Sequence, residues 1–155
     1  MKWILILIVV IMIIACAISE QIKEKYNFYL NLKVFLQKFK LNVSFRREKV
    51  IDFLNNIPAK RQFTIFIKQY KNFIKTNEFS LQEIKILEED EKRELENIVK
   101  AIGGLDVKNE IEQLDSFLID VETKLNKAQQ DKLKLCPMII KLSLLFAMGV
   151  AILFI

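Results

Sequence analysis

Two apolar blocks enclose a periodic, polar middle. Residues 3–18 are all apolar, and residues 142–155 are apolar apart from Ser143 and Gly149. At ~1.5 Å per residue the first block makes a helix of about 24 Å, slightly short of a ~30 Å hydrocarbon core. Between the blocks, apolar residues recur every three or four positions, the period of a helix with one buried face. Ile22, Tyr26, Tyr29, Leu32, Phe35/Leu36 and Phe39 predict a helix over 20–41. A short helix over 45–54 follows, with Ser44 as its cap and Val50, Ile51 and Leu54 on one face. Asn55-Asn56-Ile57-Pro58 stops it, because a residue before proline resists the α region.

Phe63, Phe66/Ile67, Tyr70 and Phe73/Ile74 predict a third helix over 59–75, ended by Thr76-Asn77. Ser80-Leu81-Gln82-Glu83 reads as a capping box that starts a helix carrying Leu81, Ile84 and Leu87, continued by Leu95, Ile98, Val99 and Ile102. Gly103-Gly104-Leu105-Asp106 is a break. After it Ile111, Leu114, Leu118, Val121, Leu125 and Ala128 form one seam down a helix over 107–135, on the order of 40 Å long. The seam is short for a dimerising coiled coil and reads as intramolecular core. Three Gly and two Pro leave few turns for a β architecture. The expected class is all-α: a small helical bundle of five or six helices over 20–136, flanked by membrane helices over 1–19 and 137–155.

Charge sets the topology. Residues 20–75 carry 13 Lys/Arg against 4 Asp/Glu, and residues 76–131 carry 7 against 15. Oppositely charged halves of one bundle attract, which is the reading favoured over a basic face for nucleic acid; no recognition motif is present. Anionic lipid remains open for the stretch beside the first membrane helix. Lys23, Lys25, Lys33 and Lys38 follow the first apolar block, and Lys124, Lys127, Lys132 and Lys134 precede the second segment, with Lys141 near its start. Both biases place the middle in the cytoplasm and both termini across the membrane. A cleaved signal or lipoprotein sequence ending near Cys16 is the alternative for the first block.

Candidate chemistry is sparse. The chain has no histidine and two cysteines, Cys16 and Cys136, one per apolar block. No phosphate loop, nucleophile set or zinc spacing occurs, so neither an enzyme nor a cofactor is expected. The acidic run Glu88, Glu89, Asp90 and Glu91 points around a helix rather than at one ion. Glu88, Glu89 and Glu91 are instead candidate partner contacts. Ser143, Ala147 and Ala151 lie four apart and give the last helix a small face for close helix packing; Ala15 and Ser19 repeat this in the first.

The layout as a whole resembles the AB protein of the stage III sporulation complex. The likeness rests on the two terminal membrane helices, the small helical domain, the Ile102-Gly103-Gly104-Leu105-Asp106 break and the long charged helix after it. Two features differ: Val43-Ser44-Phe45-Arg46 stands where such proteins tend to turn through Gly or Pro, and Gly149 is the single glycine of the last helix. That family is similar to the helical cytoplasmic modules of the inner-membrane platform protein of type II secretion. The resemblance implies a mother-cell membrane scaffold in the channel apparatus between mother cell and forespore, working with sister subunits and an ATPase. A small membrane-active or lysis-accessory protein with two membrane helices is the competing class.

Overall fold

The computed structural model describes residues 2–46, 49–102 and 106–153. Every element among them is helical: α1 (Lys2–Leu41), a π-helical turn (Asn42–Arg46), α2 (Val50–Asn55), α3 (Gln62–Thr76), α4 (Glu89–Ala101) and α5 (Val107–Leu153). The Gly103-Gly104-Leu105 part of the expected break lies outside the described residues.

The frame is an antiparallel hairpin of α1 and α5, of 40 and 47 residues. Neither helix stops where its composition changes from apolar to charged. Pro137 lies inside α5, and the helix runs through it. A proline in a helix removes one backbone hydrogen bond; here it falls where the arm gives way to the apolar block.

Contacts between the two helices repeat every seven residues. Met12 meets Ser143, Ser19 meets Cys136, Lys33 pairs with Glu122, and Lys40 pairs with Asp115. Seven residues are about two turns, so one stripe of each helix faces the other along the whole length. From Met12 to Lys40 this register holds over about 42 Å. The sequence seam on α5 is part of it. Leu114, Val121, Leu125 and Ala128 are buried, while Ile111 and Leu118 are half-buried at its margins.

Large aromatic side chains attach α2 and α3 to a second face of α1. Phe28, Phe35, Phe39, Phe63 and Phe66 are fully enclosed. Phe35 lies within 6.3 Å, centroid to centroid, of Phe39, Phe53, Phe63, Phe66 and Tyr70. Most of these pairs are edge-on or tilted, the geometry that ring quadrupoles favour. Asn77 ends α3 in the left-handed conformation (φ 61°), a residue type that tolerates it.

Two helix starts differ from the sequence reading. The helix expected from Ser80 begins only at Glu89. Leu81, Ile84 and Leu87 are all buried, but on an irregular stretch held by the Ile84 N–H donating to the Leu81 carbonyl at 3.0 Å. A three-residue spacing of apolar side chains fits such a turn as well as a helix. The capping box exists at Glu88 and Glu91 instead, where three acids also occupy the first turn and complement the helix dipole. Ser44 does not cap α2. Its hydroxyl donates to the Lys40 carbonyl at 2.8 Å, inside the π-helical turn that replaces the expected early start of that helix.

Candidate functional site

The apolar ends of α1 and α5 lie side by side. Ile6, Ile13 and Ile14 on α1, and Leu142, Leu145 and Phe146 on α5, are exposed on the outside of the pair. Ala15, Ser19, Cys136, Ser143 and Ala147 are buried between the two helices. Both helices are long and apolar enough to cross a membrane. The inward-facing residues are small, which lets two backbones approach in a solvent where apolar association has no hydrophobic drive. Ser143 turns its hydroxyl back to the Ile140 carbonyl at 2.8 Å, and the Cys136 thiol points at the Ser19 carbonyl at 3.6 Å. Of the expected small face, Ser143 and Ala147 meet α1, and Ala151 is half-buried near the end.

Because Ser19 and Cys136 touch, the first apolar block ends level with Pro137, and the exposed Lys141 stands about 8 Å further along α5, just before the second apolar block. Lys23 and Lys25 on α1 and Lys132 and Lys134 on α5 form one basic collar just below the Ser19–Cys136 level. Lys132 lies over the Tyr26 ring, 4.2 Å from its centroid. The heptad step in α1 was the sequence signal for this register, but it required knowing that α5 runs beside α1.

The acidic run sits against the collar. The Lys25 ammonium lies 2.9 Å from Glu91 and 3.7 Å from Glu88. The Glu91 carboxylate also accepts from the Glu88 backbone N–H at 2.9 Å, closing the capping box, and stands beside the Tyr29 hydroxyl. Burial pulls the Glu91 carboxyl upward, but Lys25, the Glu88 N–H and Tyr29 together outweigh it and hold the group below the usual carboxylate range. Burial, and then the charge of Glu91, push the Tyr29 phenol well above its ordinary value. Glu89 pairs with Lys92 at 2.8 Å within α4. Thus Glu88 and Glu89 are exposed, Glu88 also serving as the cap of α4, whereas Glu91 is half-buried between α4 and α1.

Lys25 is six residues beyond Ser19, about 9 Å along the helix. Glu88 and Glu89 therefore occupy a shoulder close under the apolar segments. Arg61 reaches the same level, pairing with Glu20 and Glu24; its backbone is held at φ 51°, a conformation rare for a side chain of its size. A groove of about 620 Å³ lies beside it, lined by Asn27, Phe28, Leu30 and residues 59–64. α3 descends from this shoulder parallel to α1, since Phe63 packs on Phe28 and Tyr70 on Phe35.

The charge halves meet only in part. Lys25, Lys33 and Lys40 of α1 are matched by Glu91, Glu122 and Asp115, while Lys124 pairs with Glu94 inside the acidic half. Lys68, Lys71 and Lys75 on the outer face of α3 take part in no ion pair among the described residues. Among those residues, too, no three acidic or sulfur side chains converge as a metal site would require.

No curated protein and no solved structure matches the chain. The family model for stage III sporulation protein AB matches residues 2–155, both apolar helices and the aromatic bundle included. The chain belongs to the stage III sporulation protein AB family.

Proposed function

We propose that this sporulation protein is a non-enzymatic membrane platform: a two-helix hairpin that holds a cytoplasmic bundle at a fixed height and orientation beneath the mother-cell membrane. The observation that carries this is the unbroken α1–α5 register. A helix pair that keeps its partners from Met12 to Lys40 has no hinge between the apolar segments and the bundle. Such a body suits a part whose task is to position others. The collar of lysines at one level supports the bundle as the cytoplasmic side.

Two kinds of partner fit two heights. The shoulder at Glu88 and Glu89 is reachable for a sister subunit that is itself in the membrane and carries basic residues below its membrane segment. The far end, with the π-helical turn and α2, and the row Lys68, Lys71 and Lys75 descending toward it, is open to a soluble ATPase. The test is capture of each partner from membranes by the full chain. Glu88→Lys with Glu89→Lys, leaving Glu91 intact, should weaken capture of the sister subunit, and added salt should do the same to the wild type. Reversing Lys68, Lys71 and Lys75 to Glu should weaken capture of the ATPase alone. Capture indifferent to both reversals and to salt would remove the electrostatic platform reading and leave only the apolar helices as contact.

A further inference from the structure

Lysines that face another helix are satisfied by the fold. Lys25, Lys33, Lys40 and Lys124 each pair with a carboxylate, and Lys132 lies over the Tyr26 ring. Lys134 and Lys141 are different. They stand seven residues apart on the face of α5 turned away from α1, both exposed and in no ion pair among the described residues. Lys134 lies about 3 Å below the level of Cys136 and Lys141 about 8 Å above it. Side chains on a helix lean toward its N-terminus, and the N-terminus of α5 is on the bundle side. Lys141 therefore leans out of the apolar layer toward Lys134, across the exposed Pro137 and Met138. No acid lies within a turn of Lys141. The one acid within a turn of Lys134, Asp131, is half-buried and lines the cleft beside α4 with Glu91 and Lys124. Above Lys141 the same face continues through Leu145, Met148 and Ile152, all exposed.

We propose that Lys134 and Lys141 hold the phosphate of an anionic phospholipid on the outer face of α5, with an acyl chain along Leu145, Met148 and Ile152. The stripe has the layout of such a molecule. Two ammonium-bearing residues stand about 10 Å apart along the helix at the edge of the apolar layer, and from Lys141 to Ile152 a strip without further charge rises about 16 Å. A phosphate diester offers anionic oxygens to both lysines, which no carboxylate among the described residues does. A lipid with a zwitterionic headgroup brings a cation of its own to a place that already holds two. A second copy of the chain would bring the same two lysines and no acid. Free phosphate would meet the charges and leave the apolar strip bare. An anionic lipid alone matches both ends of the stripe, and its attraction to lysines at a membrane surface is of the ordinary electrostatic kind. The site rests on the membrane placement proposed above, and not on either partner assignment.

The experiment is native mass measurement of the full chain released from nanodiscs of phosphatidylglycerol and phosphatidylcholine in equal parts, counting the lipids that stay bound. The wild type should retain phosphatidylglycerol in preference to phosphatidylcholine. Lys134→Gln with Lys141→Gln should lower that retention on the order of tenfold. Lys23→Gln with Lys132→Gln takes the same charge from the rest of the collar and should leave most of it. Inorganic phosphate should not displace the lipid from the wild type. Retention without preference, equal loss in both pairs of variants, or displacement by phosphate overturns the site. Alkaline carbonate extraction of native membranes separates this inference from the reading beneath it. A chain that stays in the membrane yet shows no preference refutes the lipid site alone, and a chain that is extracted refutes the membrane hairpin and the site with it.

Discussion

The same two helices are joined in two different ways along their length. At the apolar end, the residues between α1 and α5 are Ala15, Ser19, Cys136, Ser143 and Ala147; below the collar, Leu114, Val121 and Leu125 of α5 are buried in the seam, and α1 also sets Phe28 and Phe35 against Phe63 and Phe66 of α3. The register does not change between them. On the proposed membrane placement, what changes is the solvent. In water, burying a large ring gains free energy in proportion to the apolar area it hides. In lipid the outside is as apolar as the inside, so the gain comes from close backbone approach and satisfied polar groups. A large side chain that stabilises the lower half would therefore separate the upper half.

That contrast gives opposite expectations for changes of size. In the lower half, Phe35→Ala removes the ring around which five others pack. It should cost about 3–5 kcal/mol, as core Phe→Ala changes do, read as a large drop in thermal unfolding of the full chain in detergent. Val121→Asp puts a charge into the α1–α5 seam and should cost on the order of 3 kcal/mol. Val121 is a sharper probe than Leu118, which is only half-buried. In the upper half, Ala147→Leu enlarges a side chain and should cost about 1–3 kcal/mol by overpacking. A stabilising Ala147→Leu would mean that this half packs like the core below.

The smallest effect concerns the collar between the halves. The Glu91 carboxyl is held below its ordinary range in the fold, so its stabilisation is fully present above the unfolded-state value. That stabilisation is lost as the pH falls through the depressed folded value. Glu91→Gln should lose that stabilisation at neutral pH and, for the same reason, show a shallower further loss on acidification. An unchanged acid limb would mean that Lys25 and the Glu88 N–H do not hold this carboxylate.

The sequence carried much of this fold. Its period located α3, the seam at Leu114, Val121, Leu125 and Ala128, and both apolar helices, because helical burial writes itself into spacing. It did not distinguish Leu81, Ile84 and Leu87 on a turn from the same residues on a helix, since both bury every third position. Nor did it separate Glu91 from Glu88 and Glu89. Four consecutive acids look alike until Lys25, more than sixty positions away, selects one of them.

The central claim is the hairpin itself, with both apolar helices crossing together and the aromatic bundle on the lysine side. Reporter fusions at Thr76 and at Ile155, expressed in a bacterial membrane, test it most directly. The account predicts a cytoplasmic signal at Thr76 and a signal from the opposite compartment at Ile155. Both fusions reporting the same side would contradict it.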